Sequence, residues 1–303
     1  MIFPFTSKKQ GGAGGIGRGL FAGGNPGTYQ AIDVDVIDYV TIASTGNATD
    51  FGDLTSVRFG GSGCSSVTRG LFGGGDVLDY YADAIDYVTI ASTGNATDFG
   101  DITVPRLGLS SCSSVTRGLF GGGWVGSYSN VIDYVTIAST GNATDFGDLT
   151  VARRYSGGCS SATRGLFAAG SGASANVIDY VTIASTGNAT DFGDLTVLRN
   201  GLGGCSSATR GLFGGGHSTF NVIDYVTIAS TGNATDFGDL TVAHGYLASC
   251  SSATRGLFGG GASSTNVIDY VTIASTGNAT DFGDLTGGRY GLSACSDAHG
   301  GLA

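Results

Sequence analysis

The hydrophobic pattern is dominated by one eight-residue run, V-I-D-Y-V-T-I-A, which recurs six times with only its first residue varying. A run of this length, rich in Val, Ile, Thr and Tyr, reads as a buried strand. Each copy is followed by S-T-G-N, which predicts a tight turn, and then by the strand-like T-D-F-G-D-L-T. In the last full copy, 247–253 is a first strand, Thr254 and Arg255 a turn, and 256–260 a second strand. A loop leads to a third strand at 267–274 and a fourth at 280–286, with Gly277 and Asn278 taking positive φ between them.

The segment YVTIASTGNATDFGDLT begins at Tyr39, Tyr87, Tyr134, Tyr180, Tyr225 and Tyr270, at intervals of 48, 47, 46, 45 and 45 residues, with Ile102 its only departure. R-G-L-F begins at Arg18, Arg69, Arg117, Arg164, Arg210 and Arg255. Four strands per unit at this period predict an all-β, six-bladed β-propeller. Composition agrees: Gly is 56 of 303 residues, Glu is absent, and only 13% are charged, which excludes helical repeats of similar length.

Six blades need six first strands, yet seven candidates occur. Residues 11–17 are nearly all Gly and make a poor strand, whereas 290–296 matches the internal consensus, including its Cys. The expected organisation is an arm at 1–17 and a propeller at 18–303, the first blade completed by 287–297 so that no sheet edge is left open.

The net charge of −10 argues against a nucleic-acid partner, since phosphate binding needs clustered Lys and Arg. No apolar run is long enough to enter a bilayer, and the N-terminus lacks a signal peptide's order, so synthesis in a cytoplasm is expected.

Several motifs fail on context. Gly12–Gly17 matches G-x-G-x-x-G without the strand and helix that a dinucleotide site needs. Asp50-Phe51-Gly52 stands without any other kinase element. The Asn-Ala-Thr sequons read as turn residues, and the hairpin lacks the Asp of a sialidase Asp-box, with Gly46 in its place. Cys64, Cys112, Cys159, Cys205, Cys250 and Cys295 occur once per repeat, too far apart for a zinc pattern, and are expected to be free apolar thiols. Asp38, Asp50, Asp53 and their copies read as turn acceptors or a solvated outer face; TDFGD lacks EF-hand spacing. No metal or cofactor is expected.

The order V-P-R-L-G-L-S-S-C (104–112), L-F-G-G-G (119–123), I-D-Y-V, then T-G-N-A-T-D-F resembles the kelch repeat, Phe51 and its copies standing at the family's tryptophan position. The resemblance spans residues 11–303 and implies a kelch-like propeller. Such uniform repeats also resemble those of marine bacteriophage virion proteins, which implies assembly into a virion.

The loops between second and third strands vary, as do the connectors between blades, and alternation of strand direction puts both on one face. Recognition usually resides in such loops. The expected ligand-binding face comprises Tyr29, Tyr80, Tyr81, Trp124, Tyr128, His217 and Phe220, with Arg58, Arg106, Arg153, Arg199, His244 and Arg289 from the connectors. Aromatics with arginines suit a protein or glycan surface; neighbouring virion subunits through residues 1–17 are a further expected partner. A binding or structural module is expected rather than an enzyme, whose unique acids, bases or ligands would collect in one pocket. An intracellular interaction scaffold, or a propeller oxidase or glycan hydrolase, are the alternatives.

Overall fold

The computed structural model describes residues 15–27, 33–172, 176–217, 220–263 and 265–302. These form six four-stranded antiparallel sheets arranged in a ring, a β-propeller. From axis to rim, the second blade consists of Ser62–Ser65, Arg69–Gly73, Ala84–Thr89 and Thr97–Asp101. The third to sixth blades repeat this order, with innermost strands at Ser110–Ser113, Gly157–Ser160, Gly203–Ser206 and Ala248–Ser251. The first blade joins both ends of the chain: Ser293–Ser296 lies innermost beside Arg18–Ala22, followed by Val36–Thr41 and Thr49–Asp53.

Six innermost strands converging on one axis admit only small side chains, which is why they read S-G-C-S, S-S-C-S, G-G-C-S, A-S-C-S or S-A-C-S. A Cβ on Gly158 would run into the Ser111 carbonyl. The thiols are free and buried, and burial raises each, that of Cys64 to about 12. Each sulfur packs on the R-G-L-F glycine of the next blade; a Cβ on Gly118 would lie 2.5 Å from Cys64 Sγ. The serines beside them close a ring around the axis. Ser113 Oγ donates to the Ser65 carbonyl (2.9 Å), Ser160 to Ser113 (2.7 Å), and so on round to Ser65, which donates to Ser296 (2.7 Å).

The seams carry the apolar core. Between the second and third blades, Leu71, Ile85, Phe99 and Ile102 pack against Phe120, Val135 and Ile137. Each fully buried Phe or Ile contributes about 1.5–3 kcal/mol. Polar contacts register the same seam. Arg69 stacks over Tyr87, 4.8 Å from the ring centre, and its Nη1 donates 3.0 Å to the Ile137 carbonyl. The tight turn after the third strand falls at Thr136–Ser139, where Ser139 N donates 3.2 Å to Thr136 O, so that only the Ser of S-T-G-N belongs to it. The third strand of the third blade ends at Thr136; Gly141 takes the expected positive φ, at 150°, whereas Asn142 does not. The segment instead lies along the neighbouring outer strand: Gly141 N donates to Phe99 O and Ala143 N to Asp101 O, both 2.7 Å, while Asp101 N donates 3.2 Å to Asn142 Oδ1. Its polar groups are spent on the rim of the preceding blade, which explains its invariance.

Ring closure has its own device. In the internal blades a serine after the innermost strand accepts the turn amides; Ser66 Oγ accepts Thr68 N and Arg69 N at 3.3 and 3.1 Å. At the first blade no covalent turn joins 296 to 18, and Asp297 occupies the serine's place. Its carboxylate accepts Ile16 N (2.6 Å), Gly17 N (3.0 Å) and Arg18 N (2.9 Å). The expected arm is described only at residues 15–17, which run along this latch; residues 1–14 lie outside the described residues.

The variable face and the channel mouth

The varied loops and connectors do lie on one face, where they bond to each other: Phe59 bridges Asp76, Leu107 bridges Trp124, and Arg153–Arg154 pairs with Ser171–Gly172. Around the axis the connectors form a second closed ring, made of backbone alone. Gly108 N donates to Gly60 O, Tyr155 N to Gly108 O, Gly201 N to Tyr155 O, Tyr246 N to Gly201 O, Gly291 N to Tyr246 O, and Gly60 N to Gly291 O, all at 2.6–2.8 Å. All six residues are left-handed, with φ from 56° to 71°. Four are Gly; Tyr155 and Tyr246 hold the same conformation at a cost on the order of 1 kcal/mol each.

Those two rings meet edge to face over the axis, centres 5.0 Å apart. Tyr246 continues to His217 (5.2 Å) and Tyr290 (6.4 Å), and Tyr290 to Phe59 (5.4 Å). Beneath them the channel is lined by glycine backbone, leucines and the hydroxyls of Ser62, Ser110, Ser111, Ser156, Ser249 and Ser293. Among the described residues no charged side chain lines it. A deeper compartment at the Cys and Ser rings ends at His299. His299 Nε2 lies 3.2 Å from Ser113 Oγ, its Nδ1 accepts Gly301 N at 3.1 Å, and burial lowers its pKa to about 4. The turn Gly300–Leu302 plugs this end against Ser113, Ser160 and Ser207. The channel is therefore blind and reaches solvent at the variable face.

Of the residues expected on this face, Tyr80 (78% exposed), Tyr81, Tyr128 and His217 are exposed, while Trp124 and Phe220 are half-buried. Tyr29 lies outside the described residues. Tyr80 and Tyr81 form a two-stranded finger with Asp76–Val77, whose tip residues Leu78 and Asp79 have φ of 49° and 70°. Asp76 and Asp33 near its base have raised pKa values, through burial first and then repulsion within the trio they form with Asp79. Among the described residues, no group of three or more His, Cys, Asp or Glu side chains is placed to hold a metal ion.

The connector arginines correct the expectation. Arg58, Arg106, Arg153, Arg199 and Arg289 are at most 3% exposed and cannot meet a ligand. Each turns inward to the third-strand Asp of the next blade: Arg58 to Asp86 (3.1 Å), Arg106 to Asp133 (2.8 Å), Arg153 to Asp179, Arg199 to Asp224 and Arg289 to Asp38 (2.9 Å each). The Thr ending the preceding blade completes the clamp; Thr103 Oγ1 donates 2.6 Å to Asp133. These Asp are wholly buried rather than solvated, correcting that reading too. At the seam between the fifth and sixth blades His244 replaces Arg, is 2% exposed, and has neither ring nitrogen hydrogen-bonded.

Sequence reasoning missed Phe59, Arg154, Tyr155, Tyr246 and Tyr290, one or two residues beyond the connector Arg or His. Arg154 is the most distinctive. Its guanidinium carbon lies 4.6 Å from the Trp124 ring centre, 5.1 Å from Tyr155 and 5.9 Å from Tyr128. The doubled arginine of V-A-R-R-Y, found in one connector only, was the available signal.

No protein-family model matches the chain, and no curated protein sequence is similar to it.

Proposed function

We propose that the protein is a non-enzymatic binding module that engages its partner through the variable face, around the mouth of the blind channel. One observation carries this reading. Features shared by all blades have structural work in seams, hairpins and the axial rings, whereas aromatic departures from six-fold repetition collect around one mouth. Two of them sit in strained backbone, a cost that clusters at functional sites. On this reading, supported by the resemblance of the uniform repeat to phage virion proteins, the module belongs to a particle exterior and contacts a glycan or protein of the host surface.

The test is to lay labelled protein on printed arrays of bacterial surface glycans and envelope proteins. Wild type and Val115→Ser, altered in an exposed turn of the opposite face, are expected to bind the same spots. Y81A/W124A/Y128A is expected to lose them by more than tenfold at nearly unchanged stability. Undiminished binding by the triple variant refutes the assignment.

A further inference from the structure

We infer that Arg154 anchors a subsite for the acid group of a sugar, a carboxylate or sulfate whose ring lies at the channel mouth; this rests on the binding reading above. Arg154 is the variable face's unmatched cation. The five connector arginines are consumed by buried Asp, and the six R-G-L-F arginines lie over tyrosines of the third strands. Among the described residues no carboxylate lies within salt-bridge distance of Arg154, and its Nε is buried without an acceptor.

The group is nonetheless held in place. Its backbone is fixed in the short ladder with Ser171. Its side chain lies against three aromatic rings, which use the guanidinium's face and leave its in-plane donors for a planar or tetrahedral oxyanion. In a chain of net charge −10, a fixed cation with spare donors is an anion site rather than a solubility device.

The surroundings select what carries the anion. Tyr155 touches Arg154 on one side and covers the channel on the other, so a ligand on the guanidinium lies beside the hydroxyl- and amide-lined cavity. Aromatic rings beside uncharged hydroxyls and backbone suit a pyranose; an acidic peptide would want more cations than one. Asp76, two connectors round the ring from Arg154, repels an acid group and restricts it to the Arg154 side.

Trp124 is the chain's only tryptophan, so its emission reports on the subsite directly. The wild-type protein is titrated with tetragalacturonate for the carboxylate, a carrageenan tetrasaccharide for the sulfate, galactotetraose as neutral control, and tetra-aspartate. At least one acidic saccharide is expected to shift Trp124 emission, with an affinity that falls on adding salt and at least tenfold above galactotetraose. R154Q is expected to lose at least tenfold, and R154K to lose less. The inference is overturned if no acidic saccharide binds, if R154Q binds as wild type, or if tetra-aspartate alone shows the Arg154 dependence. On the glycan array, R154Q binding like wild type while Y81A/W124A/Y128A does not would sink this inference and leave the face assignment standing. Both variants binding like wild type would sink both.

Discussion

Replacing Arg106 with Ala strips one seam of its clamp, and the consequence follows from burial. Arg106 and Asp133 are both 0% exposed and meet at 2.8 Å. Removing the cation leaves a buried carboxylate held by Thr103 alone, through Oγ1 at 2.6 Å and N at 3.2 Å. Breaking a buried pair from one side costs about 3–5 kcal/mol, and the surviving Thr bonds place R106A at the low end. For a chain of this size that is a fall in Tm on the order of 10 °C. His244→Ala removes a side chain whose ring nitrogens have no partners, so it should cost about 1 kcal/mol or less. His244→Arg supplies Asp269 with the cation its five counterparts have and should raise Tm.

The same seam fixes the sign of the pH response. Burial lowers His244 below its ordinary value, with Asp269 opposing, and lowers His299 to about 4. On acidification the unfolded chain takes up these protons first. Stability is therefore whole above pH 6.5 and is lost as pH falls from there toward 4. Asp269, itself raised by burial, offsets part of the loss as it protonates. H244R removes the His244 share and should flatten the curve. Urea unfolding of wild type, R106A, H244A and H244R at pH 8, 6.5 and 5 measures all of this. If H244A costs as much as R106A, or wild type gains stability on acidification, the account of the seams is wrong.

Two other changes probe the ring. Asp297→Ala removes the acceptor of three amides at the non-covalent closure, and is expected to destabilise by about 3 kcal/mol and expose the first blade's innermost strand to protease; a cleavage pattern identical to wild type would show that the strand pairing alone suffices. Gly118→Ala should be strongly destabilising because its Cβ meets Cys64 Sγ at 2.5 Å, and C64A/G118A should recover much of the loss; equal instability of single and double variants in thermal melts would deny the contact.

The architecture was legible because six copies made strands and period unmistakable. Closure was legible because an extra innermost-strand sequence stood at 290–296. Even the latch is written there, as C-S-D at 295–297 where the internal copies read C-S-S. The sequence misled where partners are distant. S-T-G-N looks like a whole local turn, but past its Ser the Gly amide and the Asn side chain bond the outer strand of the preceding blade, some forty residues back. The connector arginines looked like surface recognition because their neighbours vary. A residue type held nearly constant inside a varying segment is better read as a core tie, and the buried Asp in every V-I-D-Y-V run was its visible partner.

Departure from the repeat is not sufficient evidence of function, and the chain offers its own comparison. His244 breaks the series of five arginines, yet it is buried, reaches nothing outside the seam, and leaves two nitrogens without partners. It is a local loss that the other clamps tolerate. Tyr155, Tyr246 and Arg154 break the repeat differently. The tyrosines hold a backbone conformation that Gly supplies at no cost in the four other connectors, and the arginine keeps a charge that no carboxylate among the described residues pairs with. A fold under selection for stability alone has an easy substitution at each of these places. Tyr155 and Tyr246 line the mouth of the channel and Arg154 packs on Tyr155 beside it, where the proposed binding would give these costs a purpose.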